Sequence, residues 1–213
     1  MSKTLSDSAS DYVRLAPRLL VSACLLGNPV RYDGKAKPLA HAGLCQLQAA
    51  GRLVSFCPEV AGGLPVPRAA AEIVGGDGAD VIAGRGRVTT AHGEDVSAYF
   101  LAGAERALAL CRQHGIRTAL LTEGSPSCGS SRIYNGSFTR RSIAASGVTT
   151  ALLRQHGIRV FSQHEVDAAF KSLEFATQTA PPNKKRSAPD TRNPRATADT
   201  CVSTPAFDIQ PPA

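Results

Sequence analysis

Four short apolar runs punctuate the chain: Leu19 to Ala23, Leu53 to Phe56, Thr118 to Leu121 and Ile158 to Phe161. Each is too short for a buried helix and is bounded by glycine, proline or polar turn formers, so each is expected to be a buried strand. Helical stretches are expected between and after them. One runs from about Leu39 to Ala50 and closes at Gly51, two start near Asp95 and Val148, and a last one spans about His164 to Phe175. An internal echo supports the alternation: Arg112-Gln113-His114-Gly115-Ile116-Arg117 and Arg154-Gln155-His156-Gly157-Ile158-Arg159 are the same six residues, each joining a helix to a strand. Strand and helix in alternation predict an α/β fold of Rossmann-like, three-layer type, with a parallel sheet of about four strands and peripheral hairpins. Two hairpins are expected: Val81-Ile82 with Arg87 to Thr90, and one around Asn135-Gly136 between Arg132 and Phe138. Gly75-Gly76-Asp77-Gly78 lacks the strand-then-helix context of a phosphate-binding loop and is not read as a nucleotide site.

These elements set the expected boundaries. Residues 1–18 form a polar, flexible arm, residues 19–176 a single α/β domain, and residues 177–213, rich in Pro, Thr and Ala, a disordered tail. The 213 residues are 43% hydrophobic and 19% charged, an ordinary globular composition. The net charge of +7 is spread along the chain, which favours anionic ligands in general. Nucleic acid is a secondary partner class, because only 5% of residues are aromatic and tryptophan is absent. The longest apolar run, Leu19 to Leu26, is far too short to span a bilayer and nothing resembles a signal peptide, so a cytoplasmic protein with no membrane partner is expected. Six cysteines in that setting read as ligands, nucleophiles or small core residues rather than disulfides.

The candidate chemistry lies at the strand ends. The first strand runs into Cys24, the second into Cys57, and the third into Glu123-Gly124-Ser125-Pro126-Ser127-Cys128-Gly129. If the strands are parallel, the three sulfurs emerge at one carboxyl edge, where open α/β sheets place ligands. The alternative is that they are buried, inert core cysteines. Three thiolates without a fourth are incomplete for structural zinc, whereas a four-iron cluster held by three cysteines leaves one iron open as a Lewis acid. Cys111 matches Leu153 in the echoed unit and reads as core; Cys45 and Cys201 are not expected to be ligands, and the five histidines lack metal-like spacing. Glu59, Asp33, Ser125 and Ser127 are the polar groups nearest the site and the candidates for proton transfer and water positioning. Glu59 is the first choice as base, and Arg31 and Arg68 are candidates to bind substrate.

Three stretches carry a family resemblance: Val21 to Gly27 with Val30-Arg31-Tyr32-Asp33-Gly34, Cys57 to Leu64 with Pro67-Arg68 and Glu72, and Ser125-Pro126-Ser127-Cys128-Gly129. Over about Leu19 to Val166 the chain resembles the domain of unknown function 523 family, whose members include thiouracil desulfidases. The resemblance implies that Cys24, Cys57 and Cys128 hold a 4Fe-4S cluster whose free iron takes sulfur from a small thiolated pyrimidine base or nucleotide. The rival expectations are a cluster-free cysteine enzyme with Cys128 as nucleophile, and a non-enzymatic iron-sulfur sensor or sulfur carrier.

Overall fold

The computed structural model describes residues 16–178. Four strands, β1 (Leu19–Ser22), β2 (Leu53–Phe56), β5 (Thr118–Leu121) and β8 (Arg159–Ser162), pair in parallel in the order β2-β1-β5-β8. Leu19 stands level with both Leu53 and Thr118, and Thr118 with Arg159, so the carboxyl ends of the strands finish along one edge. The chain leaves β1 for β2 on one side and later returns to β5 on the other. The gap beyond β1 and β5 is therefore a topological switch point, where such sheets open a ligand crevice.

Side chains alternate across the sheet with period two. Leu20, Ala119 and Leu121 face a core closed by Ala107, Leu108 and Cys111 of helix α4 (Ser97–Gln113) and Leu153 of helix α5 (Val148–Gln155). Leu19, Val21 and Leu120 face the opposite core, closed by Leu44 and Leu47 of α1 (Ala42–Ala49) and by Ala169 and Leu173 of α6 (Val166–Gln178). Each such leucine, fully buried, contributes about 1.5–3 kcal/mol relative to exposure. The result is a three-layer α/β/α arrangement. Among the described residues, no helix is long and apolar enough to cross a membrane.

Two antiparallel hairpins lie outside the sheet, and both differ from expectation in their partners. Strand β4 (Arg87–Thr90) pairs with β3 (Ala71–Val74), not with Val81-Ile82, which end the short helix α3 (Gly78–Ile82). The reason is local: Asp77 and Asp80 form a reciprocal capping box that starts a helix there. The Gly75-Gly76-Asp77 loop thus does follow a strand and open a helix, contrary to the sequence reading. The Asp77 carboxylate itself accepts from the backbone N–H groups of Ala79 and Asp80 at that helix start. The second hairpin pairs β6 (Ile133–Tyr134) with β7 (Ser142–Ile143), so Asn135-Gly136 opens a longer loop rather than forming a two-residue turn. Gly136 adopts φ 82° and lies against β3, where the Glu72 carboxylate accepts its N–H at 2.8 Å. A side chain at Gly136 would run into the Ile73 carbonyl.

Helix α6 continues to Gln178, two residues past the expected domain boundary. At the other end Pro17 and Arg18, assigned to the arm, are engaged: the Pro17 carbonyl accepts from Arg52 Nε at 2.8 Å, and Arg18 Nη1 pairs with His114 Nδ1 at 2.9 Å. Residues 1–15 and 179–213, with Cys201, lie outside the described residues. Cys45 is half-buried on α1. It sits on the flank of α1 between Leu44 and Leu47, which take the core positions.

Candidate functional site

Beyond the carboxyl edge of β1, β2 and β5 opens a cavity of about 750 Å³ whose wall includes Cys24, Cys57, Cys128 and Glu59. Each cysteine is delivered by a different device. Cys24 sits in a single 3-10 turn, Ala23–Leu26, that ends at Gly27 with φ 91°. Cys57 is the residue before helix α2 (Pro58–Ala61), and Pro58 at the first helical position fixes the turn. Cys128 follows the Ser125-Pro126-Ser127 loop, whose shape is set by the Ser125 hydroxyl: Ser125 Oγ accepts from the backbone N–H of Ser127 at 3.1 Å and of Cys128 at 3.2 Å.

All three thiols are free. Burial raises each above its ordinary value of 9.0: Cys24 upward, Cys57 to about 11, and Cys128 well above 9.0. The charges of Glu59, Cys57 and Cys24 also raise Cys128, so the three sulfurs share one electrostatic field. Among the described residues, no three His, Cys, Asp or Glu side chains are arranged to hold a single metal ion. Round one ion, ligand atoms crowd within about 2.0–2.3 Å of a point. Round a cube of four irons and four sulfides each thiolate takes a separate corner and the sulfurs stand further apart. Cys24, Cys57 and Cys128, free and on one wall, are the thiol donors that such a cluster would use.

Glu59 is held from both sides. Its Oε2 accepts from Arg68 Nε at 2.9 Å and Nη2 at 2.6 Å, and its Oε1 accepts from the Ser125 hydroxyl at 3.0 Å. The Arg68 side chain is only 6% exposed and also donates to the carbonyls of Pro65 and Val30. Arg31 lines the cavity wall and pairs with Asp33 at 3.7 Å. Of the residues expected at the site, the fold brings together Cys24, Cys57, Cys128, Glu59, Ser125, Arg31 and Arg68. Asp33 is exposed, accepts from the Lys35 N–H in its own loop, and is not part of the wall. Ser127 is fully buried and its hydroxyl bonds that of Thr149, behind the wall. Cys111 is buried against α5 and the sheet, and burial pushes its thiol up to about 12.

The sequence reading missed three polar residues at this edge. Ser22 and Thr122, at the ends of β1 and β5, place hydroxyls against Cys128 Sγ and Cys24 Sγ. Glu123 accepts the backbone N–H groups of Ser130, Ser131 and Arg132, so one carboxylate shapes the turn after Cys128. Burial opposes its charge, but these bonds, with that from the Ser130 hydroxyl, hold the Glu123 carboxyl below its ordinary range. The available signal was position: all three follow directly on, or end, a buried strand.

An open parallel sheet with three free thiols and a carboxylate at its switch point defines an α/β protein with a sulfur-lined ligand site. The 2-thiouracil desulfurase family model matches residues 19–165, and the chain belongs to that family. It is an enzyme of this kind. A solved structure of the [4Fe-4S]-dependent thiouracil desulfidase TudS is 53% identical, covers 75% of this chain and 99% of its own, and superposes with a TM-score of 0.68. The uncharacterized protein YbbK of Bacillus subtilis (strain 168) is 44% identical over 149 residues, 70% of this chain and 97% of its own length.

Proposed function

We propose that this chain hydrolyses the thiocarbonyl of a small thiolated pyrimidine base or nucleotide, with a 4Fe-4S cluster bound by Cys24, Cys57 and Cys128. The observation that carries the reading is the convergence of three free thiols from three strand ends on one cavity that also presents a positioned carboxylate. In balance, C=S and water become C=O and hydrogen sulfide, with no net oxidation or reduction. When bound by three thiolates, the cluster supplies one open iron as a soft Lewis acid for sulfur. Ligation needs the thiolates, and burial holds these thiols neutral, so loading releases protons and strengthens as pH rises.

The remaining work falls to the chain's own side chains. Arg68 pins one oxygen of Glu59 and leaves the other toward Ser125, which fixes the carboxylate as a base for the water attacking the ring carbon. Ser125, tied through its hydroxyl to the Cys128 backbone, couples that base to the loop presenting a cysteine. Arg31, on the wall, offers positive charge to an electron-rich substrate, while Arg68 acts chiefly through Glu59. Asp33 is the reserve base; its part in the present geometry is to hold Arg31. Ser127 holds the loop from behind rather than a water in front.

The cluster-free reading, with Cys128 as nucleophile, needs a thiolate favoured by a neighbouring base or cation. The charges that act on Cys128 are instead Glu59 and the other two cysteines, all of which disfavour its thiolate. The test is turnover: protein purified without oxygen should contain iron and acid-labile sulfide, convert 2-thiouracil to uracil, and release sulfide in equal amount. Turnover by iron-free protein would overturn the reading.

A further inference from the structure

Two of the three thiols at the site meet a hydroxyl, and the two contacts cross between neighbouring strands. Ser22, at the end of β1, donates to Cys128 Sγ at 3.7 Å, while Thr122, just beyond β5, lies 2.9 Å from Cys24 Sγ. The Ser22 hydroxyl is oriented, because its oxygen accepts the Thr122 backbone N–H at 3.0 Å and its single proton is left for the sulfur. Ser22 is 2% exposed, so no solvent competes for that proton. A thiolate only accepts, so the Thr122 hydroxyl must donate to Cys24 once that sulfur is a ligand. Cys57 differs in kind: its thiol donates to the Val30 carbonyl at 3.9 Å, and the donor that favours its thiolate is the Val60 backbone N–H, not a hydroxyl.

We propose that Ser22 and Thr122 are positioning residues whose hydroxyls tune the iron-bound sulfurs of Cys128 and Cys24. The proposal rests on the three-cysteine reading above. A hydrogen bond to a ligand sulfur draws electron density from it, favours the reduced state and raises the potential of the cluster. The crossed arrangement ties the tuning to strand pairing, since each hydroxyl sits on the strand next to the one that delivers the cysteine it serves.

The test compares Thr122→Val, which removes the hydroxyl at nearly constant volume, with Thr122→Ser, which keeps it, and with Ser22→Ala. Each loaded protein is titrated with a reductant and followed by electron paramagnetic resonance, alongside iron content and melting temperature. Thr122→Val and Ser22→Ala should both have a more negative potential than the unaltered protein, and Thr122→Ser should return close to it. If Ser22→Ala fails to fold, the Thr122 pair decides alone. Equal potentials in Thr122→Val and the unaltered protein, or the same shift in Thr122→Val and Thr122→Ser, overturn the proposal while leaving the cluster reading standing. An unaltered protein that binds no cluster overturns both.

Discussion

Glu59, the base in the proposed reaction, is held in place by two neighbours. The Arg68 bonds to Oε2 fix the side chain, and the Ser125 bond directs Oε1 toward the Cys128 loop. Glu59→Gln preserves size, and its one oxygen can still accept from Arg68 while its amide N–H turns to the Ser125 oxygen, but it cannot take a proton. It should keep its full iron content and lose at least about a hundredfold in rate, the low end of a general-base contribution. Near-normal turnover in that variant would shift the base to Asp33. Arg68→Lys should not substitute, because one ammonium cannot span Glu59, Pro65 and Val30 as the planar guanidinium does. A fall in rate at unchanged iron content is the expected result.

At the scale of elements, the site depends on how closely short helix α2 lies against long helix α4. Gly62 and Gly103 form the contact: a Cβ on Gly62 would strike the Tyr99 carbonyl, and one on Gly103 the Pro58 carbonyl. Arg106 of α4 also donates to the Ala61 carbonyl, closing the end of α2. Helix propensity alone predicts that Gly103→Ala gains about 1 kcal/mol. Forcing backbone against backbone costs more, typically about 1–3 kcal/mol, and the displaced element carries Cys57 and Glu59. Gly103→Ala should therefore lower the urea midpoint and reduce bound iron together; a stabilised, fully loaded variant would contradict this picture. The main sheet was legible in the sequence because its strands are short, mostly apolar runs, the central β1 and β5 buried at every position. Ala71–Val74 was not, since its pattern depends on pairing with Arg87–Thr90 and on Glu72 reaching the Gly136 loop. The convergence of Cys24, Cys57 and Cys128 on one edge was legible because each lies in the segment that leaves a strand of the main sheet. Ser22 and Thr122 were not, because their partners lie about a hundred residues away, across a strand pairing that no local pattern reveals.

For the whole molecule, the raised thiols link stability to pH. In the metal-free protein the native state keeps Cys24, Cys57, Cys111 and Cys128 neutral above their ordinary value of 9.0. The unfolded chain releases those protons first. The contribution is thus complete below about pH 9. It is lost as pH rises through about 11 for Cys57 and about 12 for Cys111. Denaturation of metal-free protein should show the midpoint falling from about pH 9 upward. If Cys24, Cys57 and Cys128 ligate the cluster as proposed, they no longer titrate in the loaded protein, so the fall should be shallower and owed to Cys111. A pH-independent midpoint in the metal-free form would contradict the buried, neutral thiols.

The central claim is that three strand ends, and no other cysteines, build the cluster site. It is tested most directly by iron and acid-labile sulfide content in single Cys→Ser variants purified without oxygen. Replacing Cys24, Cys57 or Cys128 should abolish or sharply reduce both, while replacing Cys45, Cys111 or Cys201 should leave them near the unaltered value. Equal loss across all six, or full retention on replacing any one of the first three, would contradict the account.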